Sequence, residues 1–224
     1  AASAQGKKAV IEWLNVEEFE KDPAQLSRLS EFGGIIVPGG FGDRGVEGKI
    51  SVIKYCRENK IPYLGICYGM QLAVVEYARN VLGLSDASTT EVAPETKNPV
   101  IDILPEQKEL LAKKQYGASM RLGNYPAVLK KGTIVYEQYK EEEVTERHRH
   151  RYEVNPEYIE RIEKAGMVFS GTSPSRKLME FAELPKSAHP YFVGTQAHPE
   201  LLSRPLRPHP LFVGLIEAAI KKSF

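Results

Sequence analysis

Residues 34–42 read Gly-Ile-Ile-Val-Pro-Gly-Gly-Phe-Gly, and residues 63–71 read Tyr-Leu-Gly-Ile-Cys-Tyr-Gly-Met-Gln. Each opens with a compact apolar run of the kind that makes a buried parallel strand. Each continues through a glycine-bearing turn into helical periodicity. After the first, Ile50, Ile53 and Cys56 share one face of a helix expected over residues 48–59, closed by Pro62. After the second, Leu72, Val75 and Ala78 do the same over residues 70–82. Strand, turn and helix twice in succession predict an α/β fold: a single open, mostly parallel sheet with helices on both faces. In such sheets sites gather at the carboxyl ends of the strands.

Working outward, residues 9–14 read as a further strand, and residues 17–29 as one or two short helices broken near Pro23. Between residues 100 and 153 the grammar changes. Residues 100–104, 127–129 and 133–137 read as strands of a small antiparallel excursion. Asn155 is an N-cap with Pro156 at the first helical position, and Gly166 stops that helix. Strands are expected at 167–170, 178–183 and 192–196, and a helix over 210–222. All 224 residues fit one domain with embellishments.

Composition narrows the function. Apolar residues make up 42% and charged residues 26%, the balance of a soluble globular chain. The formal net charge is +1, so no charge excess points to nucleic acid or an anionic membrane. The longest near-apolar stretch, residues 211–220, is too short to span a bilayer and carries Glu217. Cys56 and Cys67 are too few for a disulfide framework and read as free thiols in a reducing, cytoplasmic setting.

Gly65-Ile66-Cys67-Tyr68-Gly69 at a strand-to-helix junction is a nucleophile elbow with cysteine in place of serine. The turn is sharp, so its neighbours are small, and the following helix points its N-terminal N–H groups at the sulfur, favouring thiolate. The plain alternative is a buried cysteine in a tight turn, the reading given to Cys56 in mid-helix. A cysteine nucleophile needs a base, and the base an orienter. His198-Pro199-Glu200 follows the strand at 192–196 and shares the sheet edge with Cys67, which gives nucleophile, base and orienter. Pro38-Gly39-Gly40-Phe41-Gly42 ends a strand on that edge, where glycine N–H groups can approach an oxyanion. No Lys-Ser/Thr follows these glycines, so they are not a P-loop. Arg147-His148-Arg149-His150-Arg151 leaves three readings side by side: a nucleic-acid contact, a His-x-His metal site, or an extended run with arginines on one face and histidines on the other.

Residues 65–71 with the distant His198-Pro-Glu200 resemble the class I (triad) glutamine amidotransferases. The narrower resemblance is to the glutaminase domains of the CTP synthase family. It rests on Pro38-Gly-Gly-Phe-Gly-Asp-Arg-Gly-Val-Glu-Gly48, Met120-Arg-Leu-Gly123 and Glu146-Arg-His-Arg-His-Arg-Tyr-Glu-Val-Asn155, and it covers essentially the whole chain. It implies a flavodoxin-like architecture and release of ammonia from glutamine through a cysteine thioester. Cys67 would be the nucleophile with His198 and Glu200 as partners, and the N–H groups of Gly40 and Tyr68 the oxyanion hole. Gly40, Tyr68, Gly69, Met70, Gln71, Glu91 and Arg151 would line the site for free L-glutamine. No metal or cofactor is expected in this domain.

Tyr68 stands where the family usually has Leu, and Ala197 replaces a common Phe. The family's first βα unit is expected to be missing, with residues 1–8 as the tail of its helix. The synthase domain, which in the family uses ATP and Mg2+ to convert UTP to CTP, answers to GTP and assembles into tetramers, is expected to lie outside this sequence. Two other readings stay open: a non-catalytic regulatory or scaffold module, and another Cys-His hydrolase such as a γ-glutamyl peptidase.

Overall fold

The computed structural model describes residues 1–103 and 120–222. In chain order its strands are Ile35–Val37 (β1), Tyr63–Ile66 (β2), Ala87–Thr89 (β3), Asn98–Asp102 (β4), Arg121–Leu129 (β5), Glu143–His150 (β6), Glu153–Val154 (β7), Val168–Thr172 (β8), Met179–Glu183 (β9) and Phe192–Thr195 (β10). The helices are Val16–Lys21 (α1), Val46–Glu58 (α2), Tyr68–Asn80 (α3), Ile134–Tyr139 (α4), Pro156–Lys164 (α5) and Pro210–Lys222 (α6). The main sheet runs β1-β2-β10-β9-β8-β5-β6. β1, β2 and β10 are parallel and in register at Val37, Gly65 and Gly194, so their carboxyl ends align. From β9 onward the pairing is antiparallel, and this part reaches to β6. A second sheet, β3-β4-β7, flanks α3.

The alternation of side chains along the strands makes two apolar layers. Tyr63 and Phe192 face one way and pack with Ile53 of α2 and Leu72 of α3. Leu64 and Val193 face the other way and pack with Val135 of α4 and Leu215 of α6. Helices therefore cover both faces, as the strand–turn–helix grammar requires. Between α2 and α3 the carboxylate of Glu76 is fully buried and is held by Arg57 through Nε and Nη2, at 2.9 and 2.8 Å. No helix among the described residues is long and apolar enough to cross a membrane.

Two expectations fail. Residues 9–14 form no strand: a strand exists only by pairing, and among the described residues no strand pairs with this segment. Val10, Ile11 and Trp13 are 89%, 76% and 89% exposed. They line a groove of about 820 Å³ whose other wall is the free edge of β1 and Ile216 of α6.

Residues 133–137, expected as a strand from Thr133, Ile134 and Val135, begin α4 instead. Thr133 caps it, its Oγ1 accepting from the Tyr136 N–H. From β9, the Glu183 carboxylate accepts the N–H groups of Ile134 and Val135 at 2.6 and 2.9 Å. A carboxylate 48 residues away in sequence satisfies the helix start, and β-branched side chains give no local sign of it. The strand expected over residues 100–104 is β4, and Leu104 lies outside the described residues.

Replacing Glu183 by Leu leaves two buried N–H groups without an acceptor, each worth about 1–3 kcal/mol. We expect Glu183→Leu to lower unfolding free energy by about 2–4 kcal/mol in urea titrations, against a near-neutral Glu137→Ala.

Candidate active site

The first turn of α3 lies against the end of β1. A Cβ on Gly69 would overlap the Val37 carbonyl oxygen, so only glycine fits there. The Tyr63 hydroxyl donates to the Gly69 carbonyl at 2.9 Å and ties β2 to the same turn. Between them Cys67 adopts φ 49° and ψ −100°, a left-handed conformation costly for a residue with a side chain. Its N–H donates to the Thr195 carbonyl at 2.7 Å, which anchors the strained residue to β10. Cys67 thus heads α3 with its thiol at the helix N-terminus, as the elbow reading expects.

His198 follows β10 by three residues, and its N–H donates to the Arg147 carbonyl of β6 at 2.8 Å. Its Nδ1 is 2.7 Å from Glu200 Oε1. A carboxylate oxygen only accepts, so Nδ1 carries the proton. Nε2 is buried and has no oxygen or nitrogen partner. It is turned to Cys67, and contact with that sulfur, then with Glu200, raises His198 to about 10 against the opposing effect of burial. Burial alone would raise Glu200, but the hydrogen bond from His198, a backbone hydrogen bond and the charges of His198 and His209 together outweigh it, and the carboxyl is held below its ordinary range. The structure brings Cys67, His198 and Glu200 together, with the imidazole between sulfur and carboxylate.

The glycine loop closes this arrangement. A Cβ on Gly39 would lie 2.8 Å from His198 Cε1 and 3.7 Å from Cys67 Cβ, so the loop passes directly over the pair. Gly40 lies beside the Tyr68 ring, which brings both candidate oxyanion donors to one place. The Tyr68 side chain is buried, and its hydroxyl donates to the Gly42 carbonyl at 2.6 Å. The tyrosine that departs from the family pattern is therefore a tether for the loop. Ala197 is buried, with its N–H on Thr195 Oγ1.

Glu91 accepts the Gly42 N–H on Oε1 at 3.0 Å, so it sits at the loop. Burial, then Glu91, raises the Tyr152 phenol, while Arg151 acts the other way. Tyr152 thus lies within the fields of both candidate glutamine ligands. Met70 has its side chain in the core against Gly194, which leaves only its main chain for a ligand. Gln71 is buried and its Nε2 is already used, donating to the Tyr152 carbonyl at 3.0 Å and to Gln196 Oε1 at 3.2 Å.

The arginine–histidine run is β6. Arg147 and Arg149 are exposed, and His148 and His150 are buried, which selects the alternating reading. Beneath lies a cluster with no local sequence signal: Arg121 donates to Glu153 at 3.2 Å and to Glu180 at 2.7 Å, all three buried. Sequence reading also missed Gln196, whose Nε2 is 3.6 Å from Cys67 Sγ. Its place two residues before His198, on the strand that ends at the site, is the sign that was available. Cys56 is fully buried and its thiol is pushed up to about 12 by burial, as an inert core cysteine should be. Among the described residues no group of three or more His, Cys, Asp or Glu is arranged to hold a metal ion.

The sequence model of class I glutamine amidotransferases matches residues 5–218. The CTP synthase of Methanocaldococcus jannaschii is 55% identical over 225 residues, covering 98% of this chain and 41% of the relative. That of Pyrococcus horikoshii is 55% identical over 213 residues, covering 95% and 38%. The chain thus spans about two fifths of the length of these curated relatives. The glutaminase domain of Trypanosoma brucei CTPS with bound acivicin superposes with a TM-score of 0.90 at 37% identity, over 99% of this chain and 84% of that one.

His198 gives this site a pH signature. Its folded value of about 10 lies above the ordinary 6.5, so its contribution to stability is complete below pH 6.5 and is lost as pH rises towards 10. We expect the difference in melting temperature between the parent chain and His198→Gln to shrink across that window; a constant difference would mean that the ring is not held as a cation.

Proposed function

The chain belongs to the class I glutamine amidotransferases, and within them to the glutaminase domains of the CTP synthases; on that premise we propose that it releases ammonia from the side-chain amide of free glutamine through a thioester on Cys67. The observation that carries this reading is the geometry: Cys67 heads the helix in a strained turn, with His198 beside it and the His198 Nδ1 2.7 Å from Glu200 Oε1. The sulfur attacks the amide carbon, and the oxyanion so formed is met by the N–H groups of Gly40 and Tyr68. His198 passes its proton to the departing nitrogen, the C–N bond breaks, and ammonia and a thioester remain. Water, deprotonated by His198, then attacks the thioester; the S–C bond breaks and glutamate leaves. Glu200 orients and stabilises the ring throughout.

Recognition of a free amino acid needs a partner for each charged end, or its desolvation goes uncompensated. Arg151 is proposed for the α-carboxylate, since its planar fork matches a carboxylate bidentately. Glu91 is proposed for the ammonium group. We extend the proposal to a longer polypeptide, cytoplasmic and tetrameric, in which ammonia is consumed in ATP- and Mg2+-dependent conversion of UTP to CTP under GTP control. The CTP synthases this chain resembles, of whose length it covers 41% and 38%, support the reading that it works joined to further sequence.

The deciding experiment is ammonia release from free glutamine. We expect it in the parent chain and its loss in Cys67→Ala; equal release from both would refute the assignment. We also expect Arg151→Lys to weaken glutamine use by about tenfold or more, the worth of a charged hydrogen bond, with an unchanged melting curve. Wild-type specificity constants in both Arg151→Ala and Glu91→Ala would defeat the free-glutamine reading.

A further inference from the structure

We propose that Gln196 is a further catalytic residue of this site: its side-chain amide donates a hydrogen bond to Cys67 Sγ, Gln71 on the Tyr152 carbonyl fixes the amide in that orientation, and His150, backed by His148, holds the carbonyl from its other side. The inference rests on Cys67 being the nucleophile.

The orientation follows from chemistry that needs no hydrogen positions. A backbone carbonyl only accepts, so the Gln71 atom 3.0 Å from the Tyr152 carbonyl is its NH2 group. The same NH2 lies 3.2 Å from the Gln196 amide, so the Gln196 atom there is the oxygen. The Gln196 NH2 must then be the end that faces sulfur, at 3.6 Å. Flipping either amide would set two like groups against each other in the interior, where an unpaired polar atom costs about 1–3 kcal/mol.

The histidines hold that carbonyl from its other side. His150 Nδ1 is 3.1 Å from the Tyr152 carbonyl and 3.5 Å from Glu153 Oε1, both acceptors, so Nδ1 carries the proton. In a neutral ring Nε2 then accepts, and it lies 2.9 Å from His148 Nδ1, which must donate. Burial lowers both rings, His148 to about 3 and His150 well below its ordinary value, so both are neutral. The charged groups facing this dyad are Arg121 from β5, Glu153 from β7, Glu180 from β9 and His198 after β10. His148 Nε2, left with a lone pair, faces Glu180 Oε2 at 3.7 Å and has no partner. The Tyr152 carbonyl accepts from His150 on one side and from Gln71 on the other, and from Gln71 the donors run through Gln196 to the sulfur.

A donor on sulfur favours thiolate over thiol and fixes the rotamer from which it attacks. Gln196 would supply this from the interior, with His198 on the other side. Gln71, the Tyr152 carbonyl, His150 and His148 are positioning groups.

The test reads Cys67 directly. Alkylation of the whole chain by iodoacetamide is followed by mass from about pH 6 to about pH 10, with buried Cys56 as the unreactive internal control. In Gln196→Leu we expect the rate profile to move to higher pH by about one unit and glutamine turnover to fall about tenfold, with an unchanged melting curve. Gln196→Met, closer in shape, should behave alike and serves if the leucine variant does not fold. His150→Leu should move the profile the same way, and His150→Gln, whose NH2 can reach the Tyr152 carbonyl, should restore most of it. An unchanged profile in the folded Gln196 variant, or no difference between the two His150 variants, overturns the proposal. No alkylation of Cys67 in the parent chain would instead overturn the nucleophile assignment.

Discussion

The end of β1 and the first turn of α3 touch backbone to backbone at Val37 and Gly69. That approach sets how far α3 can tilt, and it compresses the link from β2 into one residue, Cys67, with positive φ. Such a conformation costs on the order of 1–3 kcal/mol and persists only where the surroundings over-determine it. Here they do. Tyr63 holds the Gly69 carbonyl, Thr195 holds the Cys67 N–H, and β2 is buried on both faces. The same contact places the turn after β1 directly above the sulfur. Nucleophile, helix N-terminus and glycine loop are consequences of one close packing.

Much of this was legible in the sequence because it is local. The runs at 34–37 and 63–66, the glycines around Cys67 and the Asn155–Pro156 cap announce strand, turn and helix within a few residues. The alternation of β6 is likewise local, but period two alone left it beside two other readings and did not say which face is buried; the structure buries His148 and His150 and exposes Arg147 and Arg149. What escaped is non-local. α4 begins where it does because Glu183 reaches it across the sheet. Residues 9–14 have strand composition, but no described strand pairs with them. Gln196 looks like an ordinary strand-end polar residue until Gln71, 125 positions away, fixes which end of its amide faces the sulfur.

A nearly neutral chain also buries ionisable groups. Arg121, Glu153 and Glu180 form a buried cluster behind the site, and burial pushes Glu153 up to about 8. Breaking such a cluster by removing one member leaves a charge stranded, which costs more than the intact cluster gains over an apolar core. Its value here is geometric. It fixes the strands β5, β7 and β9 relative to β6, whose end carries Arg151 and whose Arg147 carbonyl holds His198.

The groove beside β1 also equips the molecule with an optical probe. Trp13 is the only tryptophan in the sequence, and it stands 89% exposed on the groove wall. An indole in water emits at longer wavelength than one in apolar surroundings. Any segment that settles against β1 must pass beside that ring, so its arrival would register as a blue shift in intrinsic fluorescence, with no label and no second tryptophan to blur the signal.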